Sequence, residues 1–469
     1  VSQVEERSPV QLDVDPLERL RLKPRPRSRA LDRLAPWPFW AFATMVLIGC
    51  VIFHSRTDPG IRYSIKQLDA ANFGPDWFLA QKFGKLTPCD VLIGMFTYLS
   101  LCYRLGTQRP VRFSRRAFRW AVVIAIPLVI GFAVGWYHGT TNLGDSRYFI
   151  MGSIFALGLW SSILSSEEGA FRWAQIFSGV TGVYGFVQLL EYSRGGGEIA
   201  FYGRTPLADH ATLEYMVAGV AVSLAMSRTG RTSWLWWFTV ASGSMVVVLG
   251  FRRYAWVELA AVFGVYLVLS GRKYLKGSMV MLAAAAVGVV VLGSSLNFGG
   301  RILSLDPFAS KSSNVYATTN QGHINAVLDG LNEVLQHPIT GLGTGVSFVG
   351  SVTGNQIGQT QNGPVETWVR YSIVGLFVFF LAYYCLFRDL WKRRRGTRYS
   401  DQLGWGIGAF LAGQFVIVCT FYPWPFDTPE KAVLTFSVLC MAYPRRDPET
   451  GRRRIALPLR KAPPVGARA

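Results

Sequence analysis

The residues best suited to chemistry in this chain are arginines in unusual surroundings. Arg204 stands in a polar stretch between two apolar ones, and Arg252 with Arg253 closes a third. A guanidinium offers a planar fork of donors that matches phosphate oxygens, and its charge cannot be titrated away. Two or three of them converging would hold a diphosphate without a metal ion. Candidate general bases expected near the same side are Asp209, Glu214, Asp329, Glu333 and Glu366, with Glu258 about a turn and a half into an apolar stretch. Glu366 precedes Arg370 by four residues, the spacing of an ordinary helical ion pair. Glu258 follows Tyr254 at the same interval, and local neutralisation of its charge is expected there.

The elements that must position these groups are apolar. The chain has 469 residues, half of them hydrophobic and only 16% charged, which is outside the range of a soluble globular domain and points to the bilayer as solvent. Stretches near the length that spans about 30 Å of hydrocarbon are Phe39–Phe53, Trp120–Trp136, Tyr148–Leu164, Phe171–Leu190, Trp234–Leu249, Ala255–Leu269, Met279–Leu292, Trp368–Leu386 and Leu403–Tyr422. Shorter or more polar candidates are Val91–Tyr103, Leu213–Met226 and Ala432–Tyr443. The expected fold is therefore an all-α polytopic membrane protein with about twelve transmembrane helices.

The net charge of +20 invites a nucleic-acid partner, but its distribution argues against one. Basic clusters at Arg19–Arg33, Arg104–Arg119, Arg272–Lys276, Arg388–Arg398 and Arg445–Arg468 fall on alternate connections, as the positive-inside bias requires, with both termini cytoplasmic. They set topology, and anionic membrane lipids are their natural partners. Against that pattern Arg204, Arg252 and Arg253 sit on the outer side; snorkelling to lipid headgroups is the alternative to a binding role. All five histidines, His54, His138, His210, His323 and His337, also fall outside. The six cysteines lack paired short spacings, so they read as small buried hydrophobes and not as a zinc site or a disulfide framework.

The organisation expected is a basic disordered tail over 1–36, spans one to nine over 37–296, a large external loop over 297–365, spans ten to twelve over 366–443 and a basic tail over 444–469. No small-residue cleavage site follows the first apolar stretch, so the first tail is expected to stay attached. Within the large loop, Ile324, Val327, Leu328, Leu331, Val334 and Leu335 recur at helical spacing over Gly322–Gln336, ended by Pro338. Such a helix could lie at the membrane surface or pack on other loops. The run Gly341-Leu342-Gly343-Thr344-Gly345 superficially matches a phosphate-cradling loop, but no strand precedes it and no Lys-Ser/Thr follows. A backbone turn is the better expectation, with glycine amides still able to approach an anion.

The order of these features resembles the O-antigen ligase and polysaccharide polymerase superfamily of bacterial membrane glycosyltransferases. His337-Pro338-Ile339-Thr340-Gly341-Leu342-Gly343-Thr344-Gly345, then Gln361-Asn362, then Ile373-Val374-Gly375-Leu376-Phe377 is similar to the family's H-P-x-x-G-x-G-x-G, H-N and G-[IV]-x-G-L series. Upstream, Arg204-Thr205-Pro206-Leu207 through His210 and Gly250-Phe251-Arg252 resemble its R-x-x-G-x-x-x-x-x-N and G-S-R segments.

The resemblance implies a GT-C-like bundle in the inner membrane with an active site on the periplasmic face. It implies an undecaprenyl-diphosphate-linked glycan donor, a glycan or lipid A core acceptor, and no metal or other cofactor. Arg204 and Arg252, with Arg253, would hold the diphosphate; His210, Asn362 and Gly343 would contribute to substrate binding. The family's histidine before Asn362 is Gln361 here, and glutamine cannot act as a base. The family often has an arginine early in the loop helix, where this chain has His323. The catalytic candidates are thus His323, Glu366 and Gln361. A transporter or flippase of polyprenyl-linked glycan is the alternative; it would carry interrupted helices in both halves of the chain.

Overall fold

The computed structural model describes residues 37–49, 88–106, 115–140, 146–164, 166–193, 210–229, 234–250, 253–270, 315–352, 354, 356–357, 360, 362–393, 398–419 and 429–444. Twelve helices occur among them. They are α1 (Trp37–Ile48), α2 (Pro88–Gly106), α3 (Arg115–Tyr137), α4 (Ser146–Ser161), α5 (Glu167–Ser193), α6 (His210–Ser227), α7 (Trp234–Leu249), α8 (Arg253–Ser270), α9 (Val315–Gln336), α10 (Gly363–Arg393), α11 (Tyr399–Val418) and α12 (Pro429–Ala442). A small antiparallel hairpin pairs β1 (Phe348–Val349) with β2 (Gln356–Ile357). Eleven of the apolar stretches fall on α1 to α8 and α10 to α12. The stretch Met279–Leu292 and the 1–36 tail lie outside the described residues, as does most of the second basic tail. The amphipathic loop helix is α9, and it starts at Val315 instead of Gly322. Its first turns hold Thr318, Thr319 and Asn320, which show no apolar period but do not forbid a helix.

The bundle is organised around α6. Every side chain from Thr212 to Met226 is buried, and α5, α7, α8, α11 and α12 all pack on it. A helix that is apolar on all sides suits only the middle of a bundle. Small residues let its neighbours approach: a Cβ on Gly219 would lie 2.3 Å from the Thr181 methyl of α5, and one on Gly406 of α11 would lie 2.6 Å from the Ala221 carbonyl. Hydroxyls then bridge the backbones, Thr239 donating to Ser178 O at 2.8 Å and Ser242 to Gly182 O at 3.1 Å. Close backbones joined by Ser and Thr are how helices associate where apolar burial gives no drive. A second sector packs α1, α2, α4 and α12 in the same manner, with Gly158 on Phe96 and Gly152 on Phe436.

The bundle is apolar outside as well as inside. Val129, Val183, Val268, Phe377 and Tyr384 are all exposed, and they lie on four different helices. One described helix, α10, is long and apolar enough to cross a membrane; shorter apolar helical stretches include Val122–Tyr137, Thr212–Ser227, Trp234–Leu249 and Tyr254–Val268. The expectation of buried cysteines holds for Cys89 and Cys440 and fails for Cys102, which shares an outward face of α2 with Tyr98 and Leu105.

The longest helix is broken. Within α10, Tyr371 (φ −123°, ψ 16°) and Ser372 (φ 69°, ψ 178°) leave helical geometry. Before the break, Val365–Thr367 and Val369–Ser372 are buried; after it, Ile373, Phe377 and Phe380 face outward. Ser372 is the one described non-glycine residue with positive φ, in a region open almost solely to glycine. Its hydroxyl accepts the Val374 amide at 3.2 Å and so caps the second half of the helix. A backbone strain of about 1–3 kcal/mol is typical of such a residue. Ser372→Gly should relieve it at the loss of a few tenths of a kcal/mol of capping, for a net gain of about 1 kcal/mol. Thermal unfolding in detergent micelles measures this, and a lower midpoint for the glycine variant would show that Ser372 is not strained.

Candidate functional site

Polar residues gather at one end of the bundle, where α6, α8, α10 and α12 begin and α7 and α11 finish. The first half of α10 organises that end. Asn362 caps it, its side-chain oxygen accepting the Val365 amide at 3.1 Å, while its Nδ2 donates to Cys419 O at the tail of α11 at 2.9 Å. Glu366 and Arg370 form the helical ion pair, Nε to Oε1 at 2.8 Å, with both side chains almost completely buried. The other Glu366 oxygen accepts the Thr360 amide at 2.6 Å, and Arg370 also donates to Val346 O. One ion pair therefore ties α10 to Thr360 just before it and to Val346 at the entry to the hairpin. Asp329 of α9 does similar work, accepting the Val352 amide at 2.5 Å.

The glycine run is a backbone wedge. Gly341, Gly343 and Gly345 all adopt positive φ. The amides of Leu342 and Gly343 donate to Val369 O at 2.8 and 3.2 Å, and that of Thr344 to Gly131 O of α3 at 2.9 Å. A Cβ on Gly343 would lie 2.1 Å from the Gly135 nitrogen. On the far side of the break, the Ile373 amide reaches Ile339 O at 3.3 Å. The loop thus fills the gap in α10, and four of its amides, counting that of Gly341 on His337 O, are spent on protein carbonyls. At its entry, Trp368 donates to Pro338 O at 2.7 Å, and the rings of His138 and His337 stand 6.2 Å apart.

Deeper at the same end lies a group of buried charges. Lys431, in the first turn of α12, places its Nζ 3.7 Å from Glu214 Oε1 of α6. Glu258 of α8 is 1% exposed, and the charges acting on it come from Glu214 and Lys431. These charges belong to two other helices, and Gly413 of α11 lets α8 in close: a Cβ there would lie 2.9 Å from Glu258 Cα. Two carboxylates and one ammonium in an apolar bundle are costly and tend to be functional. Lys431 did not figure among the sequence candidates. Its signal is a cation in the first turn of an apolar helix, against the helix dipole.

Of the residues singled out from the sequence, Arg204, Arg252 and Gln361 lie outside the described residues. His210 opens α6, Arg253 opens α8 and His323 falls within α9. Gly250, at the end of α7, meets Leu213 in the first turn of α6, where an added Cβ would come within 2.6 Å. The two arginine-bearing segments are therefore anchored side by side at their described ends. Asn362, Glu366 and Gly343 all occupy the same end of the bundle, in the capping, ion-pairing and wedging contacts given above. Among the described residues no group of three or more His, Cys, Asp and Glu side chains is placed to hold a metal ion.

No protein-family model matches this chain, and no curated protein sequence matches it.

Removing one partner of a buried ion pair leaves an uncompensated charge, at a cost of about 3–5 kcal/mol. Arg370→Met should therefore unfold at a much lower denaturant concentration than wild type, whereas Asn362→Ala, which loses a helix cap, should cost about 1 kcal/mol. Equal losses from the two variants would contradict this ranking. Gly343→Ala, with φ +90° and no room for a methyl group, should be as damaging as Arg370→Met in the same measurement.

Proposed function

We propose that this chain is a polytopic inner-membrane glycosyltransferase of the O-antigen ligase or polysaccharide polymerase kind. It crosses the membrane about twelve times, keeps both termini in the cytoplasm, and presents its polar end to the periplasm. The observation that carries this reading is the mutual contact of motif segments that lie far apart in the chain. The His337–Gly345 segment packs into the break just before Ile373–Phe377, and Asn362 caps the same helix. The segments bearing Arg204 and Arg252 are anchored to each other through Gly250 and Leu213.

The reaction is transfer of a glycan from undecaprenyl diphosphate to a sugar hydroxyl. The acceptor oxygen bonds to the anomeric carbon as the bond from that carbon to the diphosphate oxygen breaks. Arg204 and Arg252 receive the charge that builds on the leaving diphosphate, the role of preorganised cations in phosphate chemistry. The hydroxyl proton needs an acceptor, and Gln361 cannot be it. Glu366 is engaged on both oxygens by Arg370 and Thr360, so His323 is the stronger candidate. The test is purified protein in lipid nanodiscs with an undecaprenyl-diphosphate-linked repeat unit and no added metal. Longer glycans should form. Arg252→Ala should abolish them, and His323→Ala should slow them by about 100-fold or more, the contribution of a general base.

A second reading has its own support. An interrupted helix and an intramembrane ionic group are features of transporters; α10 is broken at Tyr371–Ser372, and Glu214 and Lys431 form a buried ion pair. On that reading the chain moves a polyprenyl-linked glycan across the bilayer. Proteoliposomes separate the two: movement of labelled donor without a new glycosidic bond would replace the transferase reading.

A further inference from the structure

The loop helix α9 has two apolar faces, and the protein covers one of them. Val334, with the half-buried Val327 beside it, packs into a small core with Leu342, Phe348, Val365 and Val369. Leu328, Leu331 and Leu335 are exposed on a second face, Leu335 at 74%, and Ile339 just beyond the helix is 73% exposed. At 3.6 residues per turn the three leucines fall within a sector of about 60°. The acidic residues of α9 are turned elsewhere. Asp329 is buried on the Val352 amide, and Glu333 lies 3.9 Å from His337 Nε2. The other exposed side chains described on this helix, Asn332 and Gln336, are neutral. A helix face washed by water ordinarily carries charged or polar groups. This one carries leucine.

The course of α9 indicates what covers that face. It runs beside the first half of α10 toward the second half. A Cβ on Gly330 would lie 2.8 Å from the Val365 side chain, Trp368 donates to Pro338 O at 2.7 Å, and the Ile373 amide donates to Ile339 O at 3.3 Å. Ile339 therefore adjoins the outward face of α10, where Ile373 and Phe377 are exposed. That helix is long and apolar enough to cross a membrane, and only 17% of its apolar stretch is buried in the protein. The same segment meets the end of α3, where the His337 ring stands edge to face with that of His138 and where Trp136 and Tyr137 are exposed. Tryptophan and tyrosine gather where hydrocarbon gives way to headgroups. The leucine face thus continues an outward apolar surface beside an aromatic pair of that kind.

We propose that Leu328, Leu331, Leu335 and Ile339 form a lipid-contacting edge that seats α9 in the outer interface of the membrane, deepest at Ile339. The inference rests on the reading that α10 crosses the bilayer with the polar end outward. A protein partner fits less well, because four side chains fall short of the roughly 20–30 residues a side of a stable interface. Lipid contact scales with the apolar area offered and needs no complementary surface. Seated in this way, α9 holds the polar end at the level of the headgroups, where the diphosphate of a lipid-linked substrate also lies.

Spin labels in nanodiscs test this. A ketone-bearing amino acid, introduced singly in place of Leu331, Leu335, Gln336, Ile339 or Phe377, accepts a label and leaves the native cysteines untouched. All five side chains are exposed, so labelling does not disturb the core. Relaxation by oxygen, which concentrates in lipid, is compared with relaxation by a water-soluble nickel chelate. The oxygen-to-nickel ratio should be severalfold higher at Leu331, Leu335 and Ile339 than at Gln336, should rise from Leu331 to Ile339, and should be highest at Phe377. Ratios at the three positions no higher than at Gln336, with Phe377 still in lipid, would overturn the proposal and leave the spanning reading standing. Little access of either reagent to Leu331 and Leu335 would also overturn it, since another protein segment or a second copy would then cover the face. Free access of nickel to Phe377 would remove the spanning reading and this proposal with it.

Discussion

A backbone amide or carbonyl buried in an apolar bundle has to find a partner within the protein. The break in α10 is where that constraint is hardest to meet. Leaving helical geometry at Tyr371 and Ser372 frees the Val369 carbonyl and the Ile373 amide. The His337–Gly345 segment answers both, Leu342 and Gly343 donating to the first and Ile339 accepting from the second. Only a chain with little side-chain bulk and positive φ can enter such a gap, so the three alternate glycines follow from the broken helix. The same entry presses the loop against Gly131 and Gly135 of α3, and a helix remote in sequence becomes part of the polar end.

From that wedge the remaining connections follow. The first half of α10, cut off from the second, is held by Asn362 to the tail of α11 and by the Glu366–Arg370 pair to the hairpin. These contacts carry loop segments down onto the heads of the buried helices. They also explain why groups with the chemistry of acids and bases serve here as fasteners: a carboxylate whose two oxygens accept from Arg370 and Thr360 positions neighbouring segments and keeps little capacity to take a substrate's proton.

The glycines of the helical core solve a different problem. At Gly219, Gly406 and Gly413 they allow helices to pack closely, with Ser and Thr hydroxyls of neighbouring helices bridging to the backbone. One consequence is electrostatic. Where α8 closes on α11 at Gly413, Glu258 is sealed from solvent within electrostatic reach of Glu214 and Lys431, so the packing that makes the bundle compact also brings together charges from three helices.

The helices themselves were legible in the chain, because apolar length and the charge of the flanking segments are local properties. Eleven of the apolar stretches are helices, the amphipathic period of Ile324–Leu335 marks α9, and four-residue spacing alone identified the Glu366–Arg370 pair. The start of α9 escaped because Thr318–Asn320 has no apolar period, and the break in α10 escaped because Tyr371-Ser372 contains neither proline nor glycine. What only the tertiary structure decided were contacts between distant segments: Gly343 against Gly135, Asn362 with Cys419, and Glu258 with Glu214 and Lys431. No pattern within one helix encodes which face its neighbour will seal. Charge balance at a buried site therefore becomes defined only when the helices are packed.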